Sequence, residues 1–228
     1  RRSSSAASDV YKRQDVNRSD ASFTVELPEN GGRAAVRYAL GAIRNVGTEA
    51  MSQLVAEREA NGEFADLTDF LKRLPQAVAN KKQMENLIRA GALDSLHGNR
   101  RELLENVEAI LAFAETVRQD AQSSQDSLFS GDDALDKTVH MQPFEDWSGM
   151  DRLREEFESL GLYLSAHPLD GYAGRLDKLK VITANDLAAM IESRNLKPRV
   201  NLAGWVSAKQ VRISQRGNKF AFVPVSYT

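Results

Sequence analysis

Hydrophobic and polar positions change period several times along the 228 residues. Ser22–Leu27 (SFTVEL) alternates in twos, Ala34–Tyr38 does so loosely, and Pro28–Gly32 between them is turn chemistry. That pattern predicts a β-hairpin. A helical period follows, with Ala50, Met51, Leu54 and Val55 on one face of a predicted helix Thr48–Ala60. Asp66 is placed to cap a short helix Leu67–Leu74 that Pro75 closes. Asn80 caps Lys81–Ala90, with Met84, Leu87 and Ile88 inward and Gly91 as the stop. Asn99 opens a longer helix to about Arg118, striped by Leu103, Leu104, Val107, Ile110, Leu111 and Ala114. Ser148 with Asp151 starts a helix ending at Leu160, and Thr183 with Asp186 starts Ala184–Ser193. From Val200 the period returns to two, through Leu202, Gly204, Val206, Val211 and Ile213, and Arg216–Asn218 turns the chain into Lys219–Val223. The expected fold class is mainly α with small β elements.

Three stretches lack any period. Arg1–Gln14 (RRSSSAASDVYKRQ) is polar and Ser-rich, and it is expected to be a disordered, non-native tail resembling translated adapter sequence. Val225–Thr228 is expected to be the matching scar at the other end. Residues 120–138 are polar and acidic, a linker by composition.

Composition narrows the chemistry. The net charge is −2, so contact with a polyanion has to be local. There is no cysteine, which removes disulfides and thiolate metal sites and fits a reducing compartment. No apolar run approaches the roughly 20 residues of a membrane span. His97, His140 and His167 stand far apart, so no local metal-ligand spacing or hydrolase triad can be built. The helical stripes are expected to be core, and His167, followed by Pro168, a turn histidine.

The stretch Tyr38–Ala50 carries the candidate chemistry. A short apolar segment enters the turn Arg44-Asn45-Val46-Gly47, and an amphipathic helix starts at Thr48. That is the layout of a helix-hairpin-helix, spanning 38–60. Asn45 and Gly47 both tolerate positive φ. Gly47 also removes a side chain where a backbone could approach a phosphate. Amides of the turn and of the helix start, taken together, can hold an anion without reading a base. The bland alternative is a turn that binds nothing. Lys81, Lys82, Arg89, Arg100 and Arg101 could border a DNA backbone, although solvated faces are their ordinary role.

The runs VRYALGAIRNVGTEAM, EFADLTDFLKRL, NKKQMENLIRAGALDSL and NRRELL, preceded by DVNRS, resemble the end of the fingers of the C-family bacterial replicative DNA polymerases, the polymerase III alpha subunits. LREEFESLGLYLSAHPLDGY (Leu153–Tyr172) and VNLAGWVSAKQVRISQRGNKFAFV (Val200–Val223) continue the match in order. The family usually has Gly where this chain has Asn45, whose side chain alters any phosphate contact there. The resemblance implies this organisation: 15–119 the end of the fingers; 120–138 a flexible linker; 139–195 a helical connector; 196–228 a truncated OB-fold, a small barrel that binds single strands. Trp205 and Phe220 could stack bases, but core positions are expected for both.

Within the linker, Gln125-Asp126-Ser127-Leu128-Phe129 resembles a sliding-clamp-binding peptide. Leu128 and Phe129 would enter an apolar pocket and Gln125 would bond at its rim. Chance, or docking of this pair on the chain's own helices, is the alternative. DNA backbone contact is expected at Arg44, Asn45, Val46, Gly47 and Thr48. The family's Mg²⁺-binding palm aspartates lie upstream of the matched region, so no catalytic or metal-binding residue is nominated, and the fragment alone is expected to be inactive. Expected partners are duplex DNA, single strand at the OB region as an option, the sliding clamp and other replicase subunits, in the cytoplasm and without a membrane. A non-enzymatic helix-hairpin-helix adaptor is the alternative function.

Overall fold

The computed structural model describes residues 11–27, 34–126, 138–194, 199–206 and 209–227. The chain divides into two compact units, residues 4–165 and 166–228.

In the first unit the predicted hairpin forms. β2 (Thr24–Glu26) pairs antiparallel with β3 (Ala35–Arg37), Val25 facing Val36. A further strand, β1 (Tyr11–Lys12), pairs parallel with the other side of β3. Residues 11–14 were expected to belong to a disordered tail. They are instead held: the Tyr38 amide donates to the Lys12 carbonyl at 3.0 Å, Arg13 pairs with Asp94, and the Gln14 carboxamide donates to the Ala90 carbonyl. The reason is that an open sheet edge accepts an extended segment of almost any sequence.

Helices follow the hydrophobic stripes. α1 (Thr48–Asn61) buries Ala50, Met51 and Leu54. α2 (Leu67–Lys72) is capped by Asp66, which accepts from the Asp69 amide at 2.9 Å. α3 (Lys81–Ala90) is capped by Asn80 and stopped by Gly91 in the left-handed conformation, φ 82°, with Met84, Leu87 and Ile88 fully buried. The single helix expected after Asn99 is two: α4 (Arg100–Glu105) and α5 (Val107–Asp126). The break falls at Asn106, at φ −102°, whose side-chain amide bonds backbone while its own N–H still donates to the Glu102 carbonyl at 3.1 Å. The side-chain amide donates to the Glu102 and Gln142 carbonyls, both at 2.8 Å, and its oxygen accepts from the Gln142 amide at 2.8 Å. α5 also runs past Asp120, where the linker was expected to start. α6 (Gly149–Leu160), capped by Ser148 and stopped by Gly161, packs on α3.

One core serves this unit: Leu40, Ile43, Met51, Leu54, Phe64, Phe70, Met84, Leu87, Leu103 and Ile110 among others. Phe64 and Phe70 meet edge to face, centroids 5.1 Å apart. Arg100, 3% exposed at its side chain, grips Asp94 with two bonds of 2.7 Å and donates to the Arg89 carbonyl at 3.1 Å. Such buried guanidiniums are tolerated only when their donors are paired.

Among its described residues the second unit holds α7 (Ala173–Lys178), α8 (Ala184–Glu192) and four strands. α8 starts with a complete capping box of Thr183 and Asp186. β4 (Gly204–Val206) pairs with β7 (Val225–Tyr227), and β5 (Gln210–Ile213) with β6 (Lys219–Phe222), as two separate antiparallel ladders. The residues expected to be a terminal scar thus include a strand. Phe220, expected in a core, is 42% exposed and meets Phe222 edge to face at 5.5 Å. A two-stranded ladder has no second layer to bury both of its faces. Among the described residues, no helix is long and apolar enough to cross a membrane.

Candidate functional site

The turn rests on a platform built by the residues before it. The Arg58 guanidinium of α1 donates to the Val16 and Ser19 carbonyls at 3.0 and 2.7 Å and to Asp20 at 2.9 Å. That segment receives the amides of Leu40 (to Asp20, 2.9 Å) and Gly41 (to Ala21, 3.1 Å). The first arm of the expected helix-hairpin-helix is only a 3-10 turn, Leu40–Ala42. Gly41 lies against the preceding segment: a Cβ there would lie 2.6 Å from the Ala21 carbonyl oxygen and 2.9 Å from Thr48 Oγ1. This close approach, not Gly47, is where the site requires glycine.

The Val46 amide donates to the Ile43 carbonyl at 3.1 Å, closing a β-turn with Arg44 and Asn45 at its centre. Asn45 has φ 60°, the left-handed value needed at the third turn position, as expected. Gly47 does not use positive φ. It is the residue preceding α1, extended at φ −80°, a conformation open to any residue, and a Cβ there would meet only ordinary contacts at 3.8 and 3.9 Å.

The five residues expected to touch DNA divide by environment. Asn45, Gly47 and Thr48 are exposed. Val46, 8% exposed, belongs to the core. Arg44 is exposed, but its guanidinium donates to the Glu158 carbonyl at 2.8 Å and its amide to Ser159 at 2.9 Å. It therefore caps the carbonyl end of α6, a favourable place for a cation. Its charge also works against the burial that raises the Tyr38 phenol above its ordinary value.

Two helix starts meet beside the turn. The first-turn amides of α1 have no intrahelical acceptor. From the first turn of α3, Gln83 Oε1 accepts from the Gly47 amide at 3.1 Å, while Gln83 Nε2 donates to the Ala77 carbonyl at 2.9 Å. Lys81 and Lys82 are exposed on that turn, as is Glu49 on α1. Lys81 pairs with Glu108 at 2.6 Å, a bond that raises the lysine and lowers the glutamate from their ordinary values. Arg89 and Arg100 are engaged elsewhere, by Glu155 at 3.0 Å and by Asp94. Gln83 was legible only as a polar position on α3, and nothing in its spacing points to the turn.

Of the clamp-binding candidates, Gln125 and Asp126 close the backbone of α5, and Ser127, Leu128 and Phe129 lie outside the described residues. His167 is a turn residue: its amide donates to Asp170 at 2.7 Å, and its Nδ1 accepts from the Leu169 amide at 3.2 Å.

Residues 11–103, which contain the turn, α1 and α3, match a helix-hairpin-helix motif. The DNA polymerase III subunit alpha of Caulobacter vibrioides is 40% identical over 212 residues, 93% of this chain and 18% of that protein. The subunit of Thermus aquaticus is 36% identical over 210 residues, 91% of this chain and 16% of its own length. That of Rickettsia prowazekii is 36% identical over 185 residues, 81% and 15% respectively. Over these residues the chain is homologous to the DNA polymerase III alpha subunit. It spans under a fifth of the length of these curated relatives. The alpha subunits carry most of their sequence outside the matched part, so the chemistry in their name is not located by it.

Proposed function

We propose that this chain is part of a bacterial replicative DNA polymerase alpha subunit, covering the end of the fingers, the clamp-binding region and the start of an OB domain. Its own task in this reading is to hold the duplex backbone at the Arg44–Thr48 turn and to tether the enzyme to its sliding clamp through Gln125–Phe129. One observation carries the reading: an exposed turn at the start of α1 lies inside the span matching a helix-hairpin-helix motif, in a chain homologous to polymerase subunits.

The amides of Gly47 and of the first turn of α1 supply donors for a phosphate, and the α1 dipole supplies partial positive charge. Such contacts fix position without reading sequence. Exposed Lys82 adds to them, whereas exposed Glu49 opposes them. Arg44 acts from behind, by anchoring the turn on α6. For single strands, exposed Phe220 and Phe222 with Arg212, whose guanidinium lies 5.6 Å from the Phe222 ring centre, offer stacking and charge.

The whole enzyme would join nucleotides to a primer in the cytoplasm, with Mg²⁺ stabilising the transferring phosphate. Among the described residues, no group of three or more His, Asp or Glu stands together to hold that ion. No step of the transfer is assigned to this chain.

Two measurements test the proposal. Gly47→Ala keeps the fold but places a methyl group on the phosphate approach, so duplex binding at low salt should weaken about three- to tenfold with the melting temperature unchanged. Unchanged binding would reduce the turn to a structural element. Primer extension by the chain with Mg²⁺ and all four nucleotides should yield no product, and template-dependent extension would refute the assignment of catalysis to residues elsewhere.

A further inference from the structure

The Gly47 amide, central to the proposed phosphate contact, is already occupied. Gln83 Oε1 accepts from it at 3.1 Å, and the orientation of that carboxamide is set independently by its other end, which donates to Ala77 at 2.9 Å. Both ends are satisfied, so the amide cannot be turned over without losing both bonds. Gln83 is half-buried, Gly47 is exposed, and a Cβ on the glycine would meet this oxygen at 3.8 Å and the Ala50 methyl at 3.9 Å. A neutral carbonyl-type oxygen on a turn amide is what a phosphate oxygen would replace, and a charged acceptor makes the stronger bond.

We propose that Gln83 is an internal competitor for the phosphate site: its side-chain oxygen stands where a phosphate oxygen binds, and duplex engagement displaces it. This rests on the duplex-holding reading of the turn and adds the residue that sets its affinity. Exchanging a neutral bond for a charge-assisted one leaves a small net gain at this amide. The turn therefore binds weakly alone and depends on contacts elsewhere to hold DNA. Releasing the carboxamide also unties α3 from the turn, since Gln83 bridges the two.

The test uses the full chain and a duplex of mixed sequence. Gln83→Ala should bind the duplex two- to tenfold more tightly, with the slope of log affinity against log salt unchanged, because the substitution frees a donor without changing the number of phosphates neutralised. Gln83→Met, which keeps length but removes the acceptor, should behave alike and covers the case in which Gln83→Ala fails to fold. Gln83→Glu should bind at least tenfold more weakly. In the unsubstituted chain, the amide signal of Gly47 and the side-chain NH₂ signals of Gln83 should shift with one midpoint on titration with duplex. Weaker binding by well-folded Gln83→Ala and Gln83→Met, or a Gln83 carboxamide that stays still while the Gly47 amide moves, would overturn the inference alone. A Gly47 amide unmoved by saturating duplex would instead remove the reading on which it rests, and the inference with it.

Discussion

At Gly41 a methyl group would collide with backbone, whereas at Gly47 it would meet only ordinary contacts. The first glycine therefore serves the fold, and the second is tolerated by it. Gly41→Ala is expected to destabilise the chain by about 1–3 kcal/mol, since the Ala21 carbonyl is backbone and cannot swing aside. Chemical denaturation measures this, and a midpoint within error of the parent would show that the platform relaxes. Tolerance of positive φ was read at both Asn45 and Gly47, and only Asn45 uses it. Both glycines look alike in one dimension, and what separates them is the approach of residues 20–21, which no local pattern encodes. Asn45 was legible because left-handed backbone favours so few residue types. Val46 and Arg44 were placed on the binding side by proximity in sequence, yet one faces the core and the other caps α6.

Caps and stripes were the most legible features at the level of elements. Asp66, Asn80, Ser148 and Thr183 cap the helices that the sequence assigned them, each through a bond within its own first turn. Breaks imposed from a distance were not legible. Asn106, where α4 ends, bonds Gln142 far along the chain, and Tyr11–Lys12 become a strand because β3 has an open edge. The clamp-binding peptide is a prediction of this scale, resting on sequence. Burying Leu128 and Phe129 in a partner could contribute on the order of 3–5 kcal/mol before ordering costs. Changing both to Ala should abolish binding to the cognate clamp, measured by surface plasmon resonance, while helix content and melting stay as in the parent. Retained clamp affinity would remove the assignment, and loss of melting stability would place the pair in the chain's own packing.

Taken as a whole molecule, the chain is nearly neutral, but its first unit contains concentrated charge. Arg13, Arg100 and Arg152 all face Asp94. Burial pushes the Asp94 carboxyl upward, but the Arg100 and Arg13 guanidiniums together outweigh it and hold the group below its ordinary 3.8. A depressed folded value means that the unfolded chain takes up the proton first as pH falls. Stability from Asp94 is thus complete above its ordinary value and is lost as pH drops through the folded one. Asp94→Asn should cost about 3 kcal/mol at pH 7, because it takes from buried Arg100 its closer, doubly bonded counter-charge and leaves only Glu156 at 3.9 Å. The difference from the parent should shrink below pH 4. Urea unfolding at pH 7 and pH 3 checks this, and a gap that is constant with pH would contradict it. Glu155 works oppositely: burial raises its carboxyl despite Arg89, so its contribution weakens as pH rises through that value.

α5 is a 20-residue helix, and Ala114 is its last buried position among the described side chains. The helix runs on for about 18 Å along its axis from Ala114 to Asp126, with Val117, Arg118 and Asp120 half-buried on the way. Mechanically this helix is a stiff arm, buried in the core up to Ala114, with the proposed tether starting at its tip. A tether issuing from a stiff arm sweeps a smaller volume than one issuing from the root of a coil, and it is displaced from the body that carries it. If a ring is held there, its distance from the turn at Arg44–Thr48 is governed by the length of the arm more than by the slack of the peptide. Shortening α5 by whole turns would then draw the two DNA-associated parts together in steps of about 5.4 Å.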